Sequence, residues 1–164
     1  MTRLLVLQVT FIVFCLMSCS SNKIVQQNPL TTYDISELDT LIDKGDRPIV
    51  IFMHAPWCTF CRNMEHTTLK NEPVKELLSS EFYFISFDGE DKRVLEYNDD
   101  TYEYRPHSHT SGTNELGKYL GAIEDQLVYP TLVIMSPTHE IIGRYGTFLS
   151  SNELLAVLRP ITVQ

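Results

Sequence analysis

The chain has 164 residues, 43% of them hydrophobic, and carries 13 Lys and Arg against 21 Asp and Glu, a net charge of −8. So acidic a balance argues against nucleic acid as a partner. Once an N-terminal segment is set aside, about 135 residues remain, enough for one domain with a single hydrophobic core.

That segment starts with Met1-Thr2-Arg3, a minimal positive stretch, and continues with the apolar residues 4–16, of signal-peptide length, before small residues follow. It is too short to span a bilayer comfortably. Leu16-Met17-Ser18-Cys19 resembles the lipobox of bacterial lipoproteins, in which cleavage before the cysteine leaves it N-terminal and lipid-modified. The resemblance implies a lipoprotein signal over 1–18, lipid on Cys19, and a place in the bacterial cell envelope, anchored to a membrane and facing the periplasm or the exterior. An ordinary cleaved signal and an uncut anchor are the other readings of the same residues. Removing 1–18 discards Cys15 and leaves Cys58 and Cys61 as the two thiols, with no further pair for a structural disulfide. It also removes one basic and no acidic residue, so the mature chain is more acidic still and weakly repelled by anionic lipid. Residues 19–29, rich in Ser, Asn and Gln, read as a flexible tether.

In the domain that follows, Asp34-Ile35-Ser36-Glu37 has the spacing of a capping box. Ile35, Leu38, Leu41 and Ile42 recur at helical intervals until Gly45, which predicts a first helix. Residues 49–53 are apolar and β-branched, as a buried strand requires, and Pro56 ends them just before Cys58. From Cys58 the pattern turns helical up to a break expected near Asn71-Glu72-Pro73, after which Val74, Leu77 and Leu78 resume the helical spacing. The aromatic and β-branched run 82–87 predicts a second buried strand ending at Asp88-Gly89.

Residues 90–110 are charged and rich in tyrosine. Leu95-Glu96-Tyr97 and Tyr102-Glu103-Tyr104 flank Asn98-Asp99-Asp100-Thr101, which predicts a surface hairpin. Thr113 or Asn114 is placed to cap a short helix through Leu116 and Leu120, and Tyr129-Pro130 precedes a strand over 131–135. Thr138-His139 turns that strand back into 141–145. Ser150-Ser151-Asn152-Glu153 then caps a last helix carrying Leu154, Leu155, Val157 and Leu158.

The chemistry sits where the first strand gives way to a helix, at Cys58-Thr59-Phe60-Cys61. A cysteine in the first turn of a helix meets unpaired backbone N–H groups and the positive end of the helix dipole, both of which favour thiolate over thiol. Cys58 is therefore the expected nucleophile. Cys61, one turn on and more buried, is placed to attack a mixed disulfide at Cys58 and release the substrate. Half of a zinc site is a competing reading, but zinc wants four ligands, the chain has no second Cys-x-x-Cys, and His107 and His109 fall in the 90–110 segment. Neither metal nor organic cofactor is expected. Glu65, four residues after Cys61 on the same helical face, either moves protons for Cys61 or is a solvated acid paired with Lys70. His54, four residues before Cys58, either lowers the thiol's pKa as an imidazolium or is merely packed.

The element order, the Trp-Cys-x-x-Cys junction and Tyr129-Pro130-Thr131 before the next strand resemble the thioredoxin superfamily over the whole mature domain. Within it, Trp57-Cys58-Thr59-Phe60-Cys61-Arg62-Asn63-Met64-Glu65, with Thr67, Thr68 and Pro73-Val74-Lys75 after it, looks most like lipid-anchored thioredoxin-related proteins of the Bacteroidetes type. It is also similar to the C-terminal domain of DsbD. The resemblance implies an α/β three-layer sandwich over 30–164, a central mixed sheet flanked by helices, with the hairpin-like segment around 90–112 inserted. It also implies that Pro130 is a cis-proline facing the cysteines and that Trp57 is the lip beside Cys58. Backbone at Tyr129 and Pro130 would then pair with an extended substrate segment. Tyr129 would narrow that groove or only pack. DsbD-like domains have an acid where Glu65 stands, whereas the acid that thioredoxin buries beneath its cysteines falls at Phe52 here.

The function so implied is an extracytoplasmic thiol–disulfide oxidoreductase acting on disulfide-containing or dithiol proteins. It would reduce them with electrons from another dithiol protein, such as a membrane donor of the DsbD type. Thr59-Phe60 matches neither the Gly-Pro of typical thioredoxins nor the Pro-His of strong oxidants, so an oxidase or isomerase stays open. So does a binding module whose cysteines only sense redox state. Tyr97, Tyr102 and Tyr104 of the insertion, among their acidic neighbours, read as solvated surface or as a partner-binding face over the active site.

Overall fold

The computed structural model describes residues 29–162; the signal segment, Cys15, Cys19 and the tether up to residue 28 lie outside them. In chain order the first half contains helix α1 Leu38–Lys44, strand β1 Ile49–His54, helices α2 Thr59–His66 and α3 Glu72–Glu81, and strand β2 Tyr83–Asp88. Four short strands follow, β3 Leu95–Tyr97, β4 Asp100–Tyr102, β5 Tyr104–Pro106 and β6 Gly112–Asn114. Helix α4 Glu115–Gly121, strands β7 Thr131–Met135 and β8 Ile141–Tyr145, and helix α5 Ser151–Leu158 complete the domain. Among the described residues no helix is long and apolar enough to cross a membrane.

The central sheet has the order β2-β1-β7-β8. β1 and β2 run parallel, from Ile49 opposite Tyr83 to His54 opposite Asp88, while β7 lies antiparallel to both β1 and β8. A parallel pair needs a crossover, and α2 and α3 supply it. Because a parallel strand is covered on both faces, β1 is apolar at every position from Ile49 to Met53, and each of these side chains is buried. The two-residue period of the strands then sorts the core into two layers. Val50, Phe52, Phe84, Leu132 and Ile134 face the layer of α2, α3 and α5, where they meet Cys61, Met64, Val74, Leu78 and Leu154. Ile49, Ile51, Met53, Ile85 and Val133 face Ile35, Leu38 and Leu41 beside α1, and Leu116 and Leu120 of α4. The three-layer α/β architecture with a mixed central sheet is thus the one observed.

Two boundaries differ from expectation. The cysteine helix ends at His66, not near Asn71. Thr67 turns its hydroxyl back to Asn63 O at 2.7 Å, and the buried Thr68 donates to Leu149 O at 2.7 Å, 81 residues away. Two β-branched hydroxyl residues in succession offer the backbone an alternative to helix, and the chain passes through a 3₁₀ turn, Thr68–Lys70. Asn71 then caps α3 with Pro73 in its first turn. The inserted segment is also two hairpins rather than one. Asn98 and Asp99, both with positive φ, make the tight turn between β3 and β4. The second hairpin pairs Tyr104 with Asn114 and Pro106 with Gly112. Nor is the insertion only surface, since Leu95 and Tyr97 are buried in the core layer shared with α1.

Asp34 links the start of the domain to this insertion. Its carboxylate accepts from Ser36 N at 3.0 Å as a cap and from Arg93 Nη1 and Nη2, each at 3.1 Å. The Arg93 hydrogen bond, helped by those from Ser36, holds the carboxyl down at about 2 against the opposing effect of burial. Asp34→Ala is expected to lower stability by about 1 kcal/mol at neutral pH, mostly through the lost cap, because the half-exposed ion pair is screened. A carboxyl whose folded pKa is depressed stabilises above its unfolded pKa, ~3.9, and loses that contribution as pH falls through the folded value. Urea unfolding should therefore show the gap between wild type and variant narrowing as pH falls from about 4 to about 2; a gap independent of pH would contradict this account.

Candidate active site

Parallel pairing brings the C-terminal ends of β1 and β2 side by side, and Gly89 N donates to His54 O at 2.9 Å, carrying the register one residue beyond the strands. The chain leaving β1 and the chain leaving β2 therefore stay neighbours. From β1 the chain runs through buried Ala55 into a turn closed by Cys58 N donating to Ala55 O at 3.0 Å. Cys58 caps α2 in an extended conformation, and its Sγ accepts from Cys61 N at 3.0 Å. The two cysteines form a disulfide, with Cα atoms 5.2 Å apart. Cys58 is 4% exposed and Cys61 1%, so the residue at the helix start is the less buried of the two. Arg62 straps this turn, donating to Pro56 O at 2.8 Å and to Thr59 Oγ1 at 3.2 Å.

The rim is aromatic. Trp57 is 62% exposed and Phe60 66%, so two large apolar side chains flank the disulfide without cover. The Tyr129–Pro130 bond is cis, and Pro130 is buried one step beyond the Met53–Thr131 pair, beside the end of β1. Tyr129 packs edge-on against Trp57 at 5.7 Å, bringing the residue before the proline onto the residue before Cys58. Trp57 Nε1 donates to Glu90 Oε1 at 3.1 Å, a contact that follows from the neighbouring strand ends. Burial, and then the Glu90 and Asp88 carboxylates, push the Tyr129 phenol well up from its ordinary value, and its buried hydroxyl has no hydrogen-bond partner. A cavity of about 710 Å³ opens beside Trp57 and Tyr129, bounded by the second hairpin and by the turn before β7.

Gly89 makes room for this arrangement, since a Cβ there would stand 2.0 Å from the Tyr129 hydroxyl and 2.6 Å from the ring. The ring is held between both core layers and cannot simply swing aside. Gly89→Ala is expected to displace Tyr129 and lower the rate on a protein disulfide by about ten-fold, with a smaller loss on a small soluble disulfide. Equal losses on both substrates would contradict a role for Tyr129 in shaping the groove.

Of the expected site residues, Cys58, Cys61, Trp57, Tyr129 and Pro130 come together at this end of the sheet. Glu65 does not join them directly. It is half-buried on α2 and lines a different cavity of about 460 Å³, with Lys70, Lys75, Phe84 and Ser86, that neither Trp57 nor Tyr129 borders. His54 is half-buried with its ring stacked on Phe52 at 5.8 Å. The tyrosines of the insertion do not form a face over the site. Tyr97 is 2% exposed and hydrogen-bonded to His139 Nδ1 at 3.1 Å, and none of Tyr97, Tyr102 and Tyr104 borders the cavity. Sequence reasoning passed over Glu90, grouped with the solvated acids, and the turn at Asp125, which carries no motif. The pairing of the two strand ends reveals Glu90, and the cavity lining reveals Asp125. Among the described residues no three His, Cys, Asp or Glu side chains gather as metal ligands would.

The thioredoxin-like domain family matches residues 36–162 of the chain. No curated protein matches it in sequence. Similar solved structures include a thioredoxin from Thermus thermophilus, 21% identical with a TM-score of 0.60, covering 83% of this chain and 89% of that one. The DsbH oxidoreductase is 15% identical with a TM-score of 0.60, over 90% and 94% of the two chains. A disulphide isomerase from Xylella fastidiosa is 17% identical with a TM-score of 0.51, over 77% and 89%. At these identities the likeness is one of fold.

Proposed function

The chain belongs to the thioredoxin-like domain family, and we propose that it is a thiol–disulfide oxidoreductase that reduces protein disulfides outside the cytoplasm. The observation that carries this reading is the Cys58–Cys61 disulfide at a helix start, between an exposed Trp57 and the cis-Pro130 bend. In the reduced protein the Cys58 thiolate attacks one sulfur of a substrate disulfide. A Cys58–substrate disulfide forms, and the first substrate sulfur leaves as a thiolate that takes up a proton. Cys61 then gives up its proton and attacks Cys58 Sγ, forming the Cys58–Cys61 disulfide and freeing the second substrate thiol. Two electrons and two protons pass to the substrate, and another dithiol protein, on this reading a membrane donor of the DsbD type, restores the pair. Extended substrate backbone lies along Tyr129 and Pro130 in strand-like pairing. Because apolar side chains, Phe52 among them, surround Cys61, its proton must leave through solvent or through Glu65.

Neighbours that are an oxidoreductase and a disulphide isomerase support exchange chemistry in general. The reductive direction and the DsbD-type donor rest on the sequence resemblance. The test is stoichiometric: pre-reduced protein mixed with a disulfide-bonded protein should lose two thiols at Cys58 and Cys61 as the substrate gains two. Substrate binding with no thiol transfer would favour the redox-sensing module instead. Envelope anchoring through lipid on Cys19 is part of the same proposal. Cys19→Ala should move the protein from the membrane fraction to the soluble one, and unchanged fractionation would contradict the anchor.

A further inference from the structure

We infer that the cavity bordered by Trp57 and Tyr129 is a selectivity pocket for a basic side chain, Lys or Arg, carried by the substrate polypeptide near its target cysteine. The inference rests on the oxidoreductase reading and adds to it a preferred substrate class. The cavity, about 710 Å³, begins at Trp57, the residue before the nucleophile, so a side chain roughly two to four residues from the substrate cysteine reaches it. Its volume suits one long side chain with its backbone.

Its walls are preformed. Asn114, fully buried, ties the second hairpin to the end of β2, its backbone N–H reaching Gly89 O at 2.8 Å and its side-chain amide reaching Asp91 O and Arg93 O at 2.9 and 3.0 Å. His107 is pinned across the same hairpin to Thr113 Oγ1 at 3.0 Å.

The charges that border the cavity favour a cation. Glu90 and Asp125 line it, and among the described residues Lys118 is the one Lys or Arg on its border. Asp88 adds its field from the end of β2, where its carboxylate accepts from Glu90 N at 2.9 Å. The nearby acids Asp91 and Glu115 do not count in this balance, since Arg93 and Arg105 pair with them at 2.7 Å. The exposed indole of Trp57 offers an aromatic face beside these carboxylates, the surroundings in which a guanidinium or ammonium gains both Coulomb and cation–π attraction. The uncovered Phe60 on the other side of the disulfide gives the remainder of the segment an apolar surface.

The test is a single-turnover comparison using the full chain, pre-reduced, with quenched fluorescent peptide disulfides identical except for Arg, Gln or Glu three residues from the cysteine. The neutral hydroxyethyl disulfide serves as the reference. The Arg peptide should react about ten-fold faster than the Glu peptide at low salt, with Gln between them and the spread narrowing as salt rises. Combining Glu90→Gln with Asp125→Asn should reduce that preference to within about three-fold, and Lys118→Glu, an exposed change that folding should tolerate, should enlarge it. Reaction with all the peptides and no preference for Arg, or a preference untouched by every variant, would overturn the pocket and leave the oxidoreductase reading intact. Failure to react with hydroxyethyl disulfide and with every peptide would overturn both.

Discussion

Cys58→Ser should abolish disulfide exchange, with turnover on any protein disulfide falling at least about 1,000-fold, because in the proposed mechanism the residue supplies the attacking atom and serine is a far poorer nucleophile toward sulfur. Cys61→Ser should behave differently. It keeps the attack by Cys58 but removes the release step, so substrate should accumulate as a mixed disulfide on Cys58, visible on a non-reducing gel and lost on adding dithiothreitol. The asymmetry follows from the positions of the two residues. Cys58 stands at the helix start and is the more accessible, while Cys61 lies one turn inside, among Met64, Phe52 and Leu132. If the two single variants behaved alike, both active or both trapping substrate equally, the division of labour between them would be wrong.

The second large effect is structural. Phe52 lies in the middle of β1, fully buried, with Leu132 and Ser86 as its partners on either side and its ring in the layer that holds Cys61. Phe52→Ala removes a large side chain from a strand that cannot collapse inward, and should cost about 3–5 kcal/mol in urea unfolding of the oxidised protein. Phe60, two-thirds exposed beside the same disulfide, sets the contrast, and Phe60→Ala should change stability by no more than about 0.5 kcal/mol. A loss at Phe52 below about 1 kcal/mol would mean that the layer beneath the cysteines is not the tightly packed one described. The position bears on chemistry as well. Where the resemblance to thioredoxin implies an acid, this chain puts an apolar ring, so in the proposed mechanism Cys61 must lose its proton without a carboxylate directly beneath it.

Much of this was legible in the sequence because the signals were local. Continuous apolar, β-branched and aromatic runs placed β1, β2 and β7, and the turn at Thr138-His139 placed β8. The capping box at Asp34 and the left-handed Gly45 bounded the first helical stretch, and Glu153 accepts from the Ser150 N–H and hydroxyl at the start of α5. Cys58 and Cys61 were legible for the same reason, since two residues one helical turn apart at a strand end define the pair by themselves. The cis bond at Pro130 was an expectation of the family resemblance alone. What escaped depended on contacts far apart in sequence. Thr68 ends its helical segment by bonding to Leu149, a partner that no window around Thr68 contains. The second hairpin has three-residue strands of Tyr-Arg-Pro and Gly-Thr-Asn with no alternation of apolar residues to announce them. Glu90 reads as one acid in an acidic run, yet it meets Trp57 because β1 and β2 are parallel and end together.

The measurement that tests the central claim most directly is the equilibrium redox titration of the Cys58/Cys61 pair in glutathione and dithiothreitol buffers, read by thiol alkylation and mass. The account predicts one two-electron transition at a potential within the range of catalytic dithiols, near thioredoxin's, about −270 mV, if the protein works as a reductase. A value near −120 mV would keep the exchange chemistry and reverse its direction to oxidation of exported proteins. A pair that stays oxidised to potentials below about −300 mV, as structural disulfides do, would contradict the claim that this disulfide is made and broken in function.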